Sequence, residues 1–218
     1  MSLLKFQDVS FIGDGKAILD KVDFAVEQGD YISIVGPSGG GKSTFLKLCC
    51  HLISPASGTI LYKGKSILDL DPMEVRKNIA YCFQTPHLFG KTVIDNVAFP
   101  YVIRKIVPDL KKIEELLAAF NLDISYLEKS IVNLSGGEKQ RIALVRTLLF
   151  QPEILLLDEV TSALDERNAL TVEKVVRSFY ETGTAVLWIT HNVEQSRRNA
   201  NKILTLEAGK IKSVEVIK

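Results

Sequence analysis

The sequence predicts an α/β fold on a largely parallel sheet, and three observations predict it. Tyr31–Val35 is a β-rich run that ends at a glycine, and Lys42–Leu52 follows with helical patterning. Ile154–Leu157 and Ala185–Thr190 are short apolar runs of the kind a strand buried on both faces requires. Between them Arg167–Tyr180 reads as a helix, with Asp165 near its start as a cap candidate. Strands alternating with helices in this way build parallel sheets.

The remaining elements follow in chain order. Leu3–Phe6, Ala17–Leu19 and Phe24–Val26 alternate with turn residues at Gly13–Gly15 and Gln28–Gly29, which predicts antiparallel strands. Ile60–Tyr62 and Ile79–Phe83 are further strands. Asp109–Phe120 places Leu110, Ile113, Leu117 and Phe120 on one helical face, with Pro108 just before it. Gly136–Phe150 is a second helix, so the chain is mostly helical from about Thr92 to Phe150. Ile203–Leu206 and Ile211–Val216 form a hairpin around Ala208–Gly209. The expected organisation is one domain over residues 1–218. Its core takes in residues 1–84 and 151–218, including an antiparallel β subdomain, and a small helical subdomain occupies about 85–150.

Composition narrows the function classes. The 218 residues are 46% hydrophobic and carry a formal charge of +1, which gives no basic footprint for nucleic acid. Cys49, Cys50 and Cys82 are odd in number and two are adjacent, so they make neither a disulfide framework nor a zinc site and read as reduced core residues. Met1–Lys5 lacks the regions of a signal peptide. No apolar run approaches the roughly 18 residues of a membrane helix, so work at a membrane needs another protein to hold this one there.

Two motifs carry chemistry. Gly36-Pro37-Ser38-Gly39-Gly40-Gly41-Lys42-Ser43-Thr44 fits the phosphate-loop pattern between a strand and a helix. Glycines let successive N–H groups point at phosphate oxygens, and the helix start adds partial positive charge. Gly36, Ser38, Gly39, Gly40, Gly41, Lys42, Ser43 and Thr44 are therefore candidate nucleotide ligands. Lys42 faces the β/γ phosphates, and Ser43 offers its hydroxyl to Mg²⁺. The second motif is the apolar strand that ends in Asp158 and Glu159 at the carboxyl edge of the sheet. Asp158 is the candidate metal carboxylate, and Glu159 is placed to polarise an attacking water.

Leu134-Ser135-Gly136-Gly137-Glu138, continued by Lys139-Gln140-Arg141, narrows the ATPase further. Ser135-x-x-Glu138 reads as a helix capping box, but a cap alone does not need two glycines. The segment is similar to the signature motif of the ABC ATPases, a P-loop NTPase class with a RecA-like core, and the resemblance runs the length of the chain. It implies ATP and Mg²⁺ as cofactors. It also implies a head-to-tail homodimer, in which Ser135, Gly136, Gly137 and Glu138 meet the ATP held by the other subunit. Gln84 then matches the glutamine that touches ATP-bound Mg²⁺, Ser162–Asp165 the loop crossing the dimer interface, and His191 the histidine on the γ-phosphate. An integral membrane permease is the implied partner, with the chain cytoplasmic and peripheral on the inner face of the cell membrane. Glu138 stands where the family usually has Gln, and Gly13 where an aromatic stacks on adenine, with Phe11 as a possible substitute.

The stretch Tyr81–Pro86 with Leu88–Gly90, Thr92–Val93, Asp95–Asn96, Phe99–Pro100 and Ile103–Arg104, continued through Leu134–Arg141 and Thr161–Glu166, resembles the ATPase of small bacterial two-component exporters linked to iron efflux. The expected function is export of a substrate, iron or another metal, with an importer or lipoprotein-release ATPase as the alternative. A non-transport ABC protein and a small-metabolite kinase are the readings from other classes. The apolar stretch Thr85–Arg104 reads equally as a permease-docking groove or as a packed subdomain core. His51 and His87 match no motif.

Overall fold

The computed structural model describes residues 2–217. Its strands are β1 (Ser2–Gly13), β2 (Lys16–Glu27), β3 (Tyr31–Val35), β4 (Ser57–Tyr62), β5 (Lys65–Ser66), β6 (Ile79–Cys82), β7 (Ile154–Asp158), β8 (Ala185–Ile189), β9 (Lys202–Glu207) and β10 (Lys210–Val216). Its helices are α1 (Lys42–Cys49), α2 (Pro72–Asn78), α3 (Val93–Val102), α4 (Leu110–Ala119), α5 (Gly136–Leu148), α6 (Glu166–Glu181) and α7 (Val193–Arg198). The chain divides into two compact units.

The first unit takes residues up to 81, 152–159 and 180 onward. It holds a four-stranded sheet in the order β2-β1-β4-β5 and a six-stranded sheet in the order β10-β9-β3-β8-β7-β6. β7, β8, β3 and β9 run parallel, while β10 closes an antiparallel hairpin with β9. Every residue of β7 and β8 is buried, which explains their uninterrupted apolar sequences. The lone tryptophan, Trp188, is 1% exposed in the middle of this sheet. The register pairs Ile34 with Ile189 and Ile189 with Asp158. Three strands therefore end level, and the loops after Val35, Asp158 and Ile189 leave from one edge. Phe45 of α1 is fully buried, its ring 4.8 Å from Phe6 and 5.9 Å from Phe24. Burying such a ring contributes about 1.5–3 kcal/mol, and here it anchors the helix that the phosphate loop opens.

The predicted short strands at the N-terminus merge into two twelve-residue strands. Asp8 and Lys21 adopt left-handed backbone (φ 52° and 48°), and the β1–β2 register slips between Phe6 and Val9. Each bulge resets the in/out alternation, so Phe6 and Val9, three apart, both point inward. All three cysteines are buried and none forms a disulfide among the described residues, and burial pushes the Cys50 thiol up to about 12. The helix predicted over Lys42–Leu52 stops at Cys49, because His51 turns to φ 53°.

The second unit takes residues 82–151 and 160–179. The boundaries expected after 84 and 150 thus fall after 81 and 151, and residues 160–179 go with the helical unit instead of the core. Asn121 Nδ2 donates to Thr171 Oγ1 at 3.1 Å, tying α6 to the turn after α4. α4 starts at Asp109, which accepts from Lys112 N at 3.1 Å, and buries Ile113 and Leu117. Leu110, expected on the same face, lies in the first turn and is 59% exposed. Among the described residues no helix is long and apolar enough to cross a membrane.

Candidate active site

Gly36 leaves β3 with φ 140°, and a Cβ there would sit 1.9 Å from Leu206 O. Only glycine lets the loop turn this tightly against β9. Gly41 occupies the cap position of α1 with φ 95°, and α1 has no side-chain cap. The first N–H groups of α1 are thereby left facing the loop, a ready anion site. Lys42 Nζ donates to Gly36 O and Pro37 O, each at 2.9 Å. Two carbonyls of the loop hold the ammonium over the concavity it encloses. Ser38 through Thr44, with Lys16, Ala17, Ile18, Glu159, Ala208 and Gly209, line a cavity of about 620 Å³, within the usual range of ligand sites.

The acids stand at the same edge. Asp158 is 5% exposed. Its Oδ1 accepts from Ser43 Oγ at 3.1 Å, and its Oδ2 accepts from Tyr81 Oη at 2.5 Å. Glu159 takes φ 49°, uncommon for a side chain of its size, and its N–H is fixed by Ile189 O at 3.1 Å. The turn aims its carboxylate at His191, whose Nε2 lies 2.9 Å from Oε1. Glu159 is largely shielded, with 19% of its side chain exposed, while His191 is half exposed. The backbone around His191 is braced: Thr190 Oγ1 accepts from Asn192 N at 3.1 Å, and Asn192 Oδ1 from Gln195 N at 3.0 Å.

Gln84 and Ser135–Glu138 belong to the second unit. Ser135 caps α5, with Gly136 and Gly137 as its first two residues. Ser135 Oγ accepts from Glu138 N at 3.3 Å, and Glu138 Oε2 accepts from Ser135 N at 2.8 Å. Tyr126 Oη donates to Glu138 Oε1 at 2.6 Å. The Tyr126 hydroxyl and then the Ser135 N–H hold the Glu138 carboxyl down at about 2. Glu138, predicted as a nucleotide ligand, thus has one oxygen in its own cap and the other on the Tyr126 phenol. Gln84 lies exposed, two residues past β6.

Gly13, where the resemblance puts an adenine-stacking aromatic, ends β1, and an added Cβ would stand 2.6 Å from Ile18 Cδ1. Phe11 packs half-buried against the core. Sequence reasoning missed Tyr81 and Tyr126, the two phenols bound to site carboxylates. Tyr81 opens the stretch that resembles the exporter ATPases and Tyr126 follows the Asp123–Ser125 turn, but neither spacing by itself points to a carboxylate.

Comparison with known proteins agrees with this geometry. The ABC transporter family profile matches residues 19–162. The chain is 46% identical over 206 residues to the "Probable iron export ATP-binding protein FetA" of Escherichia coli (strain K12), covering 94% of this chain and 91% of that one. It is 36% identical to ABC transporter I family member 17 of Arabidopsis thaliana, covering 94% of this chain and 78% of that one. A solved dimer of the ATP-binding cassette MJ0796, in a post-hydrolysis state with ADP and Pi, superposes with a TM-score of 0.90 at 28% identity over 99% of both chains. The chain belongs to the ABC transporter family, as its ATP-binding and ATP-hydrolysing part.

Proposed function

We propose that this chain hydrolyses ATP as a head-to-tail homodimer and powers export through a separate membrane permease, with iron or another metal ion as cargo. The observation that carries it is the Glu159–His191 pair, 2.9 Å apart, at the edge where the phosphate loop opens. The phosphate loop holds the β/γ phosphates through its N–H groups and Lys42. Glu159 takes the proton of the attacking water while His191 steadies the carboxylate and reaches the γ-phosphate. Gly36, Ser38–Gly41 and Thr44 complete the cradle.

Ser43 and Asp158 of the first unit would hold Mg²⁺, and Gln84 is the third residue the family resemblance implies. Ser43 and Asp158 fit: both offer oxygen, and Ser43 donates its proton to Asp158, which leaves its lone pairs for a hard cation. When bound, Mg²⁺ neutralises charge on the phosphates. Ser135, Gly136 and Gly137 contact the ATP of the other subunit, and Glu138 acts by fixing their cap. ATP then binds the closed dimer better than the open one, and hydrolysis reverses the preference.

The relative named for iron export and the cassette dimer support the cargo and the assembly. For docking, the stretch 85–104 divides between the two readings offered for it. Val93, Val97 and Tyr101 are core, while Phe89 and Phe99 stack edge to face at 4.9 Å and are each 41% exposed. Those two rings are the proposed permease contact, with the chain held by the permease at the inner face of the membrane.

Light scattering of Glu159→Gln with Mg-ATP tests this reading. ATP must convert monomer to dimer, and a chain that binds ATP yet stays monomeric overturns the shared site. Expressed with its permease, wild type must lower cell iron where Glu159→Gln does not.

A further inference from the structure

We infer that Tyr81 is a positioning residue for the divalent cation of ATP, acting through Asp158. The inference deepens the proposed function and rests on its reading of Ser43 and Asp158.

Asp158 ends a wholly buried strand, and its side chain has almost no contact with solvent. A carboxylate there needs its charge matched by donors. Two side chains supply them, one per oxygen: Ser43 on Oδ1 and Tyr81 on Oδ2. Ser43 belongs to the phosphate loop and shares its lone pairs with whatever cation arrives. Tyr81 belongs to β6, which neighbours β7 in the sheet. Its ring packs half-buried against the core, so packing aims the phenol. A phenol on the far oxygen does two things. It stops the carboxylate from rotating, and it keeps Oδ1 turned toward Ser43. Ser43 then donates its proton away from the cation side.

Phenylalanine fills the same space without the donor. Oδ2 then loses its hydrogen bond, and the carboxylate gains a rotation that competes with the Ser43 contact. A hydrogen bond to a charged group is strong enough for a roughly tenfold effect on affinity. The effect belongs to cation binding. Metal-free ATP is held by the loop N–H groups and Lys42, whereas the Tyr81 hydroxyl is given to Asp158.

The probe is Mn²⁺, titrated by electron paramagnetic resonance into full-length Glu159→Gln chain with saturating ATP. Adding Tyr81→Phe is expected to raise half-saturation about tenfold, while ATP affinity in EDTA stays within twofold. Tyr62→Phe is the matched control. It removes another phenol–carboxylate bond of the same unit, Tyr62 Oη to Glu153 Oε2 at 2.7 Å, and must leave Mn²⁺ binding unchanged. If Tyr81→Phe binds Mn²⁺ like the parent while Ser43→Ala loses it, Tyr81 only packs and the inference falls. If Ser43→Ala also binds like the parent, the metal reading of Ser43 and Asp158 fails, and the inference with it. A loss shared equally by Tyr62→Phe points to general destabilisation and likewise overturns it.

Discussion

Helices α1 and α5 both begin in glycine-rich turns, and they treat their first N–H groups in opposite ways. α1 has no side-chain cap and enters through Gly41 in left-handed backbone. α5 is closed by a reciprocal box, with a phenol bound to the same glutamate. Orphan N–H groups at a helix start need a partner. α1 leaves that partner to be a ligand, so its shape depends on glycines that nothing else can replace. α5 is capped without a ligand, and in the proposed dimer its two glycines would serve approach instead of folding. One start is built to be filled, the other to be presented.

The widest gap between them should come from adding one methyl to each. Gly41→Ala places a Cβ 2.8 Å from Ile18 O at φ 95°, so the loop must distort. With a few kcal/mol of strain, fluorescent-ATP titration should show affinity falling about a hundredfold. Gly136→Ala meets nothing within 4 Å. Its ATP affinity as a single subunit should not change, and its stability should rise by up to about 1 kcal/mol. The ATP-driven dimer of Glu159→Gln should nonetheless weaken when Gly136→Ala is added, as read by light scattering. A dimer untouched by that methyl would end the idea that α5 is presented to a second ATP.

Smaller changes sharpen the contrast. Ser135→Ala removes the α5 cap and should cost about 1 kcal/mol in denaturant unfolding. Glu138→Gln should act through pH. The Glu138 carboxyl is held below its ordinary 4.5, at about 2, so its stabilisation is present above 4.5 and lost as pH falls toward 2. The wild-type advantage in thermal midpoint over Glu138→Gln should be constant from pH 7 to about 5 and then shrink. An advantage that grows on acidification would mean the carboxylate is not the acceptor.

The sequence exposes α1 and α5 to different degrees for the same reason. Glycines and a lysine at fixed spacing are written in the chain, as are the acids ending β7 and the histidine after β8. What closes α5 and fixes Asp158 is tertiary: Tyr126 and Tyr81 act at places that only folding brings near Glu138 and Asp158. β1 and β2 read as fragments in the sequence because bulges at Asp8 and Lys21 reset the period-two alternation of each strand. α2 and α7 are seven and six residues long, too short for periodicity. Only their caps announce them: Asp71 before Pro72, and Asn192 after His191.

Trp188 has a use outside the chemistry. It is the single tryptophan of the chain, buried in β8 three residues before His191. The intrinsic emission of the protein therefore comes from one indole on the strand that delivers His191. Any rearrangement of that strand's end as nucleotide binds or leaves can be followed as a change in colour or lifetime, in unlabelled protein and in real time.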